Sequence, residues 1–198
     1  MKTRESGMPE EQIWGSFFDP PSILAKLGLT SACGDAVEFG CGYGTFTIPA
    51  ARVIAGTLYA VDVDPEMIAA TRTKVEAAGL DNVQVCLRDF AAEGTGLPDA
   101  SIDYAMLFNI LHAERPTALL EEAYRLLGPG GKVGIIHWNY DSRTPRGPSM
   151  TIRPRPEQCQ AWAEQAGFRP MPSGIIDLPP YHYGMVLQKK VESKARRM

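Results

Sequence analysis

Glu38-Phe39-Gly40-Cys41-Gly42-Tyr43-Gly44 is the stretch whose reading decides the fold. It follows the apolar run Ala36–Phe39 and stands where a strand hands over to a helix. Glycines at such a junction let the chain turn sharply, and a ligand can approach main-chain atoms without meeting a Cβ. Twenty residues after Gly42, Asp62 stands at the end of the next apolar run, where a carboxylate can accept both hydroxyls of a ribose. A glycine loop alone is a weak signal, because turns use glycine for conformational reasons. With Asp62 beside it, the loop points to an adenosine-bearing cofactor.

Outward from this loop, apolar runs of strand length alternate with stretches of helical spacing, the pattern of a sheet with crossover helices. Strands are expected at Ala36–Phe39, Thr57–Val61, Val83–Leu87, Ile102–Phe108 and Lys132–Trp138, then at Ile175–Leu178 and Tyr181–Gln188 around a Pro179-Pro180 turn. Asp64 caps and Pro65 opens a helix that stops at Gly79. Pro116 opens another, ended by Gly128-Pro129-Gly130-Gly131 as a tight turn, and Glu157–Ala166 forms a third. Two short helices precede the first strand, one carrying Ile13, Trp14, Phe17 and Phe18, the other starting at Asp19-Pro20-Pro21. Residues 139–156 hold four prolines and no period, so they read as a long loop of the kind that is functional or disordered.

Composition bounds the class. Of 198 residues, 44% are hydrophobic and 22% charged, the balance of one ordinary globular domain. A core of that size buries roughly 70% of the unfolded surface, so neither disulfide nor structural metal is required. Cys33, Cys41, Cys86 and Cys159 form no Cys-x-x-Cys pair, which argues against a zinc ribbon or redox motif. The longest stretch free of charge, Phe39 to Ala51, falls far short of the roughly 20 apolar residues a spanning helix needs. The N-terminus carries Glu5, Glu10 and Glu11 and no apolar core, so a cytoplasmic protein without a signal is expected. Residues 1–188 carry 15 basic against 22 acidic side chains and read as one domain, with 1–30 as a helical cap and 139–156 as a substrate-side loop. Residues 189–198 form a basic tail, expected to be solvated and frayed.

Two details choose among adenosine cofactors. The third glycine of a dinucleotide fingerprint would fall at position 45, which is Thr45. Glu38 would also face the pyrophosphate, and like charges in a partly desolvated site repel, whereas a carboxylate beside an ammonium is favourable. S-adenosylmethionine, with an ammonium, a carboxylate and a sulfonium, fits better.

These residues resemble the class I S-adenosylmethionine-dependent methyltransferases, and within them the small-molecule type related to ubiquinone and menaquinone methyltransferases. The resemblance is specific from about Ala36 to Trp138. It covers the glycine loop, Ala60-Val61-Asp62-Val63-Asp64-Pro65-Glu66-Met67, Arg88-Asp89-Phe90, Leu97-Pro98-Asp99, Ser101-Ile102-Asp103, Leu107-Phe108-Asn109-Ile110-Leu111-His112 and Leu126-Leu127-Gly128-Pro129-Gly130-Gly131. It implies a Rossmann-like, doubly wound α/β fold with helices on both faces of a seven-stranded sheet. The implied order is 3-2-1-4-5-7-6, the last strand antiparallel. Carried over, it puts Glu38, Gly40, Gly42 and Tyr43 at the methionine end of the cofactor and Asp62 at the ribose. Val63 and Met67 would face the adenine, Asp89 and Phe90 its edge, and Asn109 the methionine amino group. Asp89 can equally be an ordinary turn residue at a strand end.

The acceptor side is read from the rule that ligands bind beyond the C-terminal strand ends. His112, His137 and His182 fall in segments that reach that edge, and either His112 or His137 could serve as a general base if the acceptor must lose a proton. Alternation sets Tyr181 and Tyr183 on one face and His182 on the other. Trp14 and Phe17, with Phe18, read as a lid or as packed core. Arg143 and Arg146 read as a grip on a carboxylate or phosphate, or as a solvated loop. No metal is expected.

The reading is methyl transfer to a small-molecule acceptor by in-line displacement, with no nucleic-acid or membrane partner and a homodimer left open. Its rivals are a non-catalytic S-adenosylmethionine-binding protein, a protein or RNA methyltransferase, and a nicotinamide dehydrogenase. The exocyclic-amine motif of two prolines and an aromatic after strand 4 is absent, and no cysteine has the proline neighbour of carbon-5 pyrimidine enzymes. The acidic charge of residues 1–188 also opposes phosphate binding.

Overall fold

The computed structural model describes residues 9–191. Within them the chain forms α1 (Glu11–Gly15), α2 (Pro20–Lys26), β1 (Ala36–Phe39), α3 (Thr47–Ala51), β2 (Leu58–Asp62), α4 (Pro65–Ala77), β3 (Val83–Leu87), α5 (Phe90–Glu93), β4 (Ile102–Phe108), α6 (Pro116–Leu126), β5 (Leu127–Trp138), α7 (Pro156–Gln165), β6 (Phe168–Leu178) and β7 (His182–Lys189). The strands form one sheet in the order β3-β2-β1-β4-β5-β7-β6. All neighbouring pairs are parallel except those made by β7. This is the doubly wound α/β sheet that the resemblance implies.

Helix boundaries follow their chemistry. Asp64 accepts a hydrogen bond from Glu66 N at 2.9 Å and Pro65 fills the first turn, where its missing N–H costs nothing. Asp19 caps α2 in the same way through Ser22 N at 3.2 Å. The buried side chains of each strand then divide by parity. Val37, Phe39, Ala105, Leu107, Ile135 and Tyr183 cluster with Leu119 and Leu120 of α6 and Cys159 and Ala163 of α7. Ala36, Leu58, Tyr104, Met106 and Ile136 cluster with Leu24 of α2 and Ala50 of α3 on the other face. Fully buried Val, Leu, Ile and Phe side chains contribute about 1.5–3 kcal/mol each, so these two layers hold the sheet.

Three expectations need correction. β5 starts at Leu127, not at Lys132, because Gly128–Gly131 forms a bulge inside the strand and not a turn before it. Between Ile102↔Leu127 and Tyr104↔Lys132 the register advances two residues on β4 and five on β5. β6 starts at Phe168, not at Ile175, and carries a second bulge: between Pro170↔Leu187 and Ile175↔Met185 five residues oppose two. Pro170, Pro172 and Gly174 hide that strand in the sequence, yet it is an edge strand, where proline is tolerated. Tyr181 precedes β7, so strand alternation does not bind it. It stacks on Trp138 at 6.3 Å and lies with His182, away from Tyr183.

No helix among the described residues is long and apolar enough to cross a membrane, and no group of three or more His, Cys, Asp or Glu side chains could hold a metal. The basic tail expected at residues 189–198 is not frayed at its start, because Lys189 ends β7 and its Nζ donates to Tyr124 O at 2.7 Å and Leu127 O at 2.6 Å; residues 192–198 and those before Pro9 lie outside the described residues.

Candidate active site

The glycine loop runs from the end of β1 to α3 with Gly40, Gly42 and Gly44 at φ +76°, +53° and +74°. These left-handed values strain any residue with a Cβ. A Cβ on Gly44 would also stand 3.1 Å from Thr71 Oγ1, which donates to Gly42 O at 2.8 Å. Asp62, at the end of β2, accepts from Gly42 N at 2.8 Å through one oxygen and from Asp64 N at 3.0 Å through the other. A carboxylate has about four lone-pair sites, so two remain for a ribose diol. Burial raises the Asp62 pKa, and the backbone donors oppose that shift.

Glu38, also buried, accepts from Thr47 Oγ1 at 2.5 Å, a contact from the first turn of α3. Burial, reinforced by Asp62 and opposed by Thr47, pushes Glu38 up to about 8. A cation placed beside it would draw it back to the charged form. Asn109 follows β4 directly at φ +58°, its N–H donating to Ile136 O at 2.8 Å. Its amide nitrogen and oxygen are both buried without a hydrogen-bond partner. An unsatisfied buried amide costs about 1–3 kcal/mol, so it marks a place where a polar ligand belongs.

Val63 and Met67 are half-buried at the end of β2 and in the first turn of α4. Asp89 caps α5 through Ala92 N at 3.0 Å, and Phe90 is buried edge-on against Phe39 at 5.5 Å. Tyr43 OH donates to Pro9 O at 3.3 Å. The residues expected at the cofactor thus line one edge of the sheet across β1, β2, β3 and β4, and the orphaned Asn109 amide and spare Asp62 lone pairs fit S-adenosylmethionine.

The acceptor side divides in two. On the α6 and α7 face, His137 Nε2 lies 3.4 Å from His112 Nδ1. His137 is buried, and that burial followed by the neighbouring His112 holds its pKa well below the usual imidazole value. On the opposite face, His182 is buried between Phe18 at 4.5 Å and Trp138 at 4.3 Å, with neither ring nitrogen hydrogen-bonded. Burial, then Arg153, lowers His182 to about 3. The three histidines are therefore not brought together. Trp14 and Phe17 reach Trp138 at 6.5 and 5.3 Å, and Phe17 reaches Tyr181 at 6.0 Å, so the N-terminal cap closes over this aromatic cluster.

Arg143 and Arg146 do not converge on one point. Arg143 is exposed and folds onto Asp141 with three contacts of 2.7–3.1 Å, while Arg146 is exposed. The loop is organised instead by Arg153, only 7% exposed, which donates to the carbonyls of Asn139, Asp141, Arg146 and Pro148 and to Thr144 Oγ1. A cleft of about 250 Å³ opens beside it, lined by Asn139, Asp141, Arg143, Thr144, Pro180 and Tyr181. Arg153, Thr71 and Lys74 are not legible in the sequence as site residues. Thr47, nine residues after Glu38 where α3 begins, leaves a signal.

Residues 36–131 match the model of a family described as a methyltransferase domain. A solved S-adenosylmethionine-dependent methyltransferase from Aquifex aeolicus is 26% identical and superposes with a TM-score of 0.77 over 87% of this chain and 90% of its own. In this domain and in its fold the chain is similar to the class I S-adenosylmethionine-dependent methyltransferases. Among curated relatives, a ubiquinone biosynthesis O-methyltransferase of Xanthomonas oryzae pv. oryzae is 34% identical over 136 residues, 66% of this chain and 52% of that protein. A tRNA/tmRNA (uracil-C(5))-methyltransferase of Neisseria gonorrhoeae is 28% identical over 56% of this chain and 35% of its own. The chain spans about half the length of the first of these relatives or less.

Proposed function

We propose that this methyltransferase transfers a methyl group to a small molecule. The orphaned Asn109 amide carries the reading, because with the spare Asp62 lone pairs and buried Glu38 it forms a set of polar partners for an amino-acid tail and a ribose. S-adenosylmethionine supplies an electrophilic methyl on a sulfonium when bound. Glu38 and Asn109 hold the methionine end, Asp62 the ribose, and Val63, Met67 and Phe90 the adenine. Asp89 is bound into its own helix cap and contributes to the shape of that pocket.

Acceptor orientation falls to Trp14, Phe17, Trp138, Tyr181 and His182, which exclude water under the cap and hold the acceptor in line. Such positioning can supply an effective molarity on the order of 10⁵ M or more. Where the acceptor carries a proton and reaches past the strand ends to the α6 face, half-buried His112 takes it, its Nδ1 turned toward His137 Nε2. His137 behind it stays neutral, orienting the ring through the 3.4 Å contact. Arg143, at the rim of the 250 Å³ cleft, and exposed Arg146 set the charge met by an entering acceptor. The acidic sum of residues 1–188 supports a small molecule over a nucleic acid.

A screen of small-molecule acceptors with labelled cofactor tests this. Label transfer that disappears in Asn109→Leu supports the reading, and cofactor binding without turnover of any acceptor would favour the non-catalytic alternative.

A further inference from the structure

The segment from Pro9 to Phe18 touches both halves of the site. It reaches the acceptor side through Trp14, Phe17 and Phe18 and the cofactor loop through polar contacts near Tyr43. Helix α1 buries none of its residues, and the segment packs at its C-terminal end through Trp14, buried Phe17 and Phe18. At its N-terminal end a set of tethers converges on Lys74 of α4. Its Nζ donates to Tyr43 O at 2.6 Å, lies 5.7 Å from the centroid of the Tyr43 ring and pairs with the Glu11 carboxylate of α1. Thr71, one turn earlier on the same face of α4, holds the preceding carbonyl, Gly42 O. The Tyr43 hydroxyl closes the circuit on Pro9 O.

We propose that Lys74 is a positioning residue that latches the N-terminal cap to the glycine loop, so that bound cofactor leaves only when the cap lifts. The inference rests on the methyltransferase reading, since it requires a cofactor under the loop. The physics suits a latch. The Lys74 and Glu11 side chains are 32% and 50% exposed, and an exposed ion pair is worth about 0–1 kcal/mol. That is enough to bias closure and too little to lock it. Salt screens such a pair, so the latch weakens as ionic strength rises.

The test is stopped-flow release of S-adenosylhomocysteine from the full chain and from Glu11→Gln, Lys74→Met, the double variant and Lys74→Arg. Glu11→Gln and Lys74→Met are expected to release it roughly two- to five-fold faster. Their melting temperatures stay within a degree or two of wild type, because surface substitutions of this kind change stability by about 0.5 kcal/mol or less. The double variant matches Lys74→Met, since Lys74→Met already breaks the pair that Glu11→Gln breaks, and Lys74→Arg stays near wild type. High salt brings the wild type to the Glu11→Gln rate. Wild-type release from Glu11→Gln, or strictly additive effects in the double variant, overturns the latch while leaving the methyltransferase reading intact. A wild-type chain that fails to bind S-adenosylhomocysteine overturns both.

Discussion

Glu38 ties folding, pH and cofactor binding together. In the cofactor-free protein its carboxyl is buried and pushed up to about 8, against 4.5 for the unfolded chain. A group whose folded pKa lies above its unfolded value contributes stability that is fully present below pH 4.5 and is lost as pH rises through 8. Between those limits the unfolded chain has released the proton and the folded chain retains it. Each pH unit therefore costs about 1.4 kcal/mol at most, or roughly 3 kcal/mol from pH 4 to pH 7. Glu38→Gln keeps an acceptor for Thr47 Oγ1 and cannot ionise, so this component of the slope disappears. Urea unfolding at half-unit steps from pH 5 to pH 8, without cofactor, reads the difference directly. A cationic cofactor tail should also strip the Glu38 proton, so the binding enthalpy at pH 7 depends on the ionisation enthalpy of the buffer in wild type but not in the variant. Identical pH slopes for the two proteins, with no proton released on binding, would refute the reasoning.

Asp62→Ala should lose about 1.5–3 kcal/mol of cofactor affinity by calorimetry while the protein still folds, the worth of hydrogen bonds to a charged group; an unchanged dissociation constant places the ribose elsewhere. Arg153→Met leaves the carbonyls of Asn139, Asp141, Arg146 and Pro148 without their donor and should destabilise the protein by about 2–4 kcal/mol in denaturant titration, whereas a change below 0.5 kcal/mol would show that the loop holds itself together. His112→Gln should lower turnover of a proton-bearing acceptor by about 10² or more at unchanged cofactor affinity. His137 stays neutral until well below its ordinary pKa, so His137→Gln should leave the rate between pH 7 and pH 8 less affected than His112→Gln; equal losses in both variants would contradict the division of roles.

Much of this arrangement is legible in the chain. Helix α4 can be read from Asp64-Pro65 and Gly79 because its caps are local chemistry, and β1 from an apolar run between turn residues. The 3-2-1-4-5-7-6 order came from the resemblance, since no spacing encodes which strands pair. The bulges in β5 and β6 escape because Gly128–Gly131 and Pro170–Gly174 carry turn residues, and the register that absorbs them is tertiary. At the site, Glu38 and Asp62 could be found from position along the strands, and Asn109 from the resemblance. Arg153 could not. Four arginines in one loop look alike in sequence, and only the fold shows that one is buried among carbonyls while Arg143 turns back to Asp141. The separation of His182 from His112 and His137 follows from strand parity, but the contact between the latter two depends on the loop after β4, which has no period to read.

The central claim is that the edge formed by Glu38, Asp62 and Asn109 is built for S-adenosylmethionine. Calorimetric titration with S-adenosylhomocysteine and, separately, with NAD tests it most directly. We predict a single site of about micromolar affinity for S-adenosylhomocysteine, weakened in Asp62→Ala, and no measurable binding of NAD. NAD binding as tightly, or no heat with S-adenosylhomocysteine, would contradict the account.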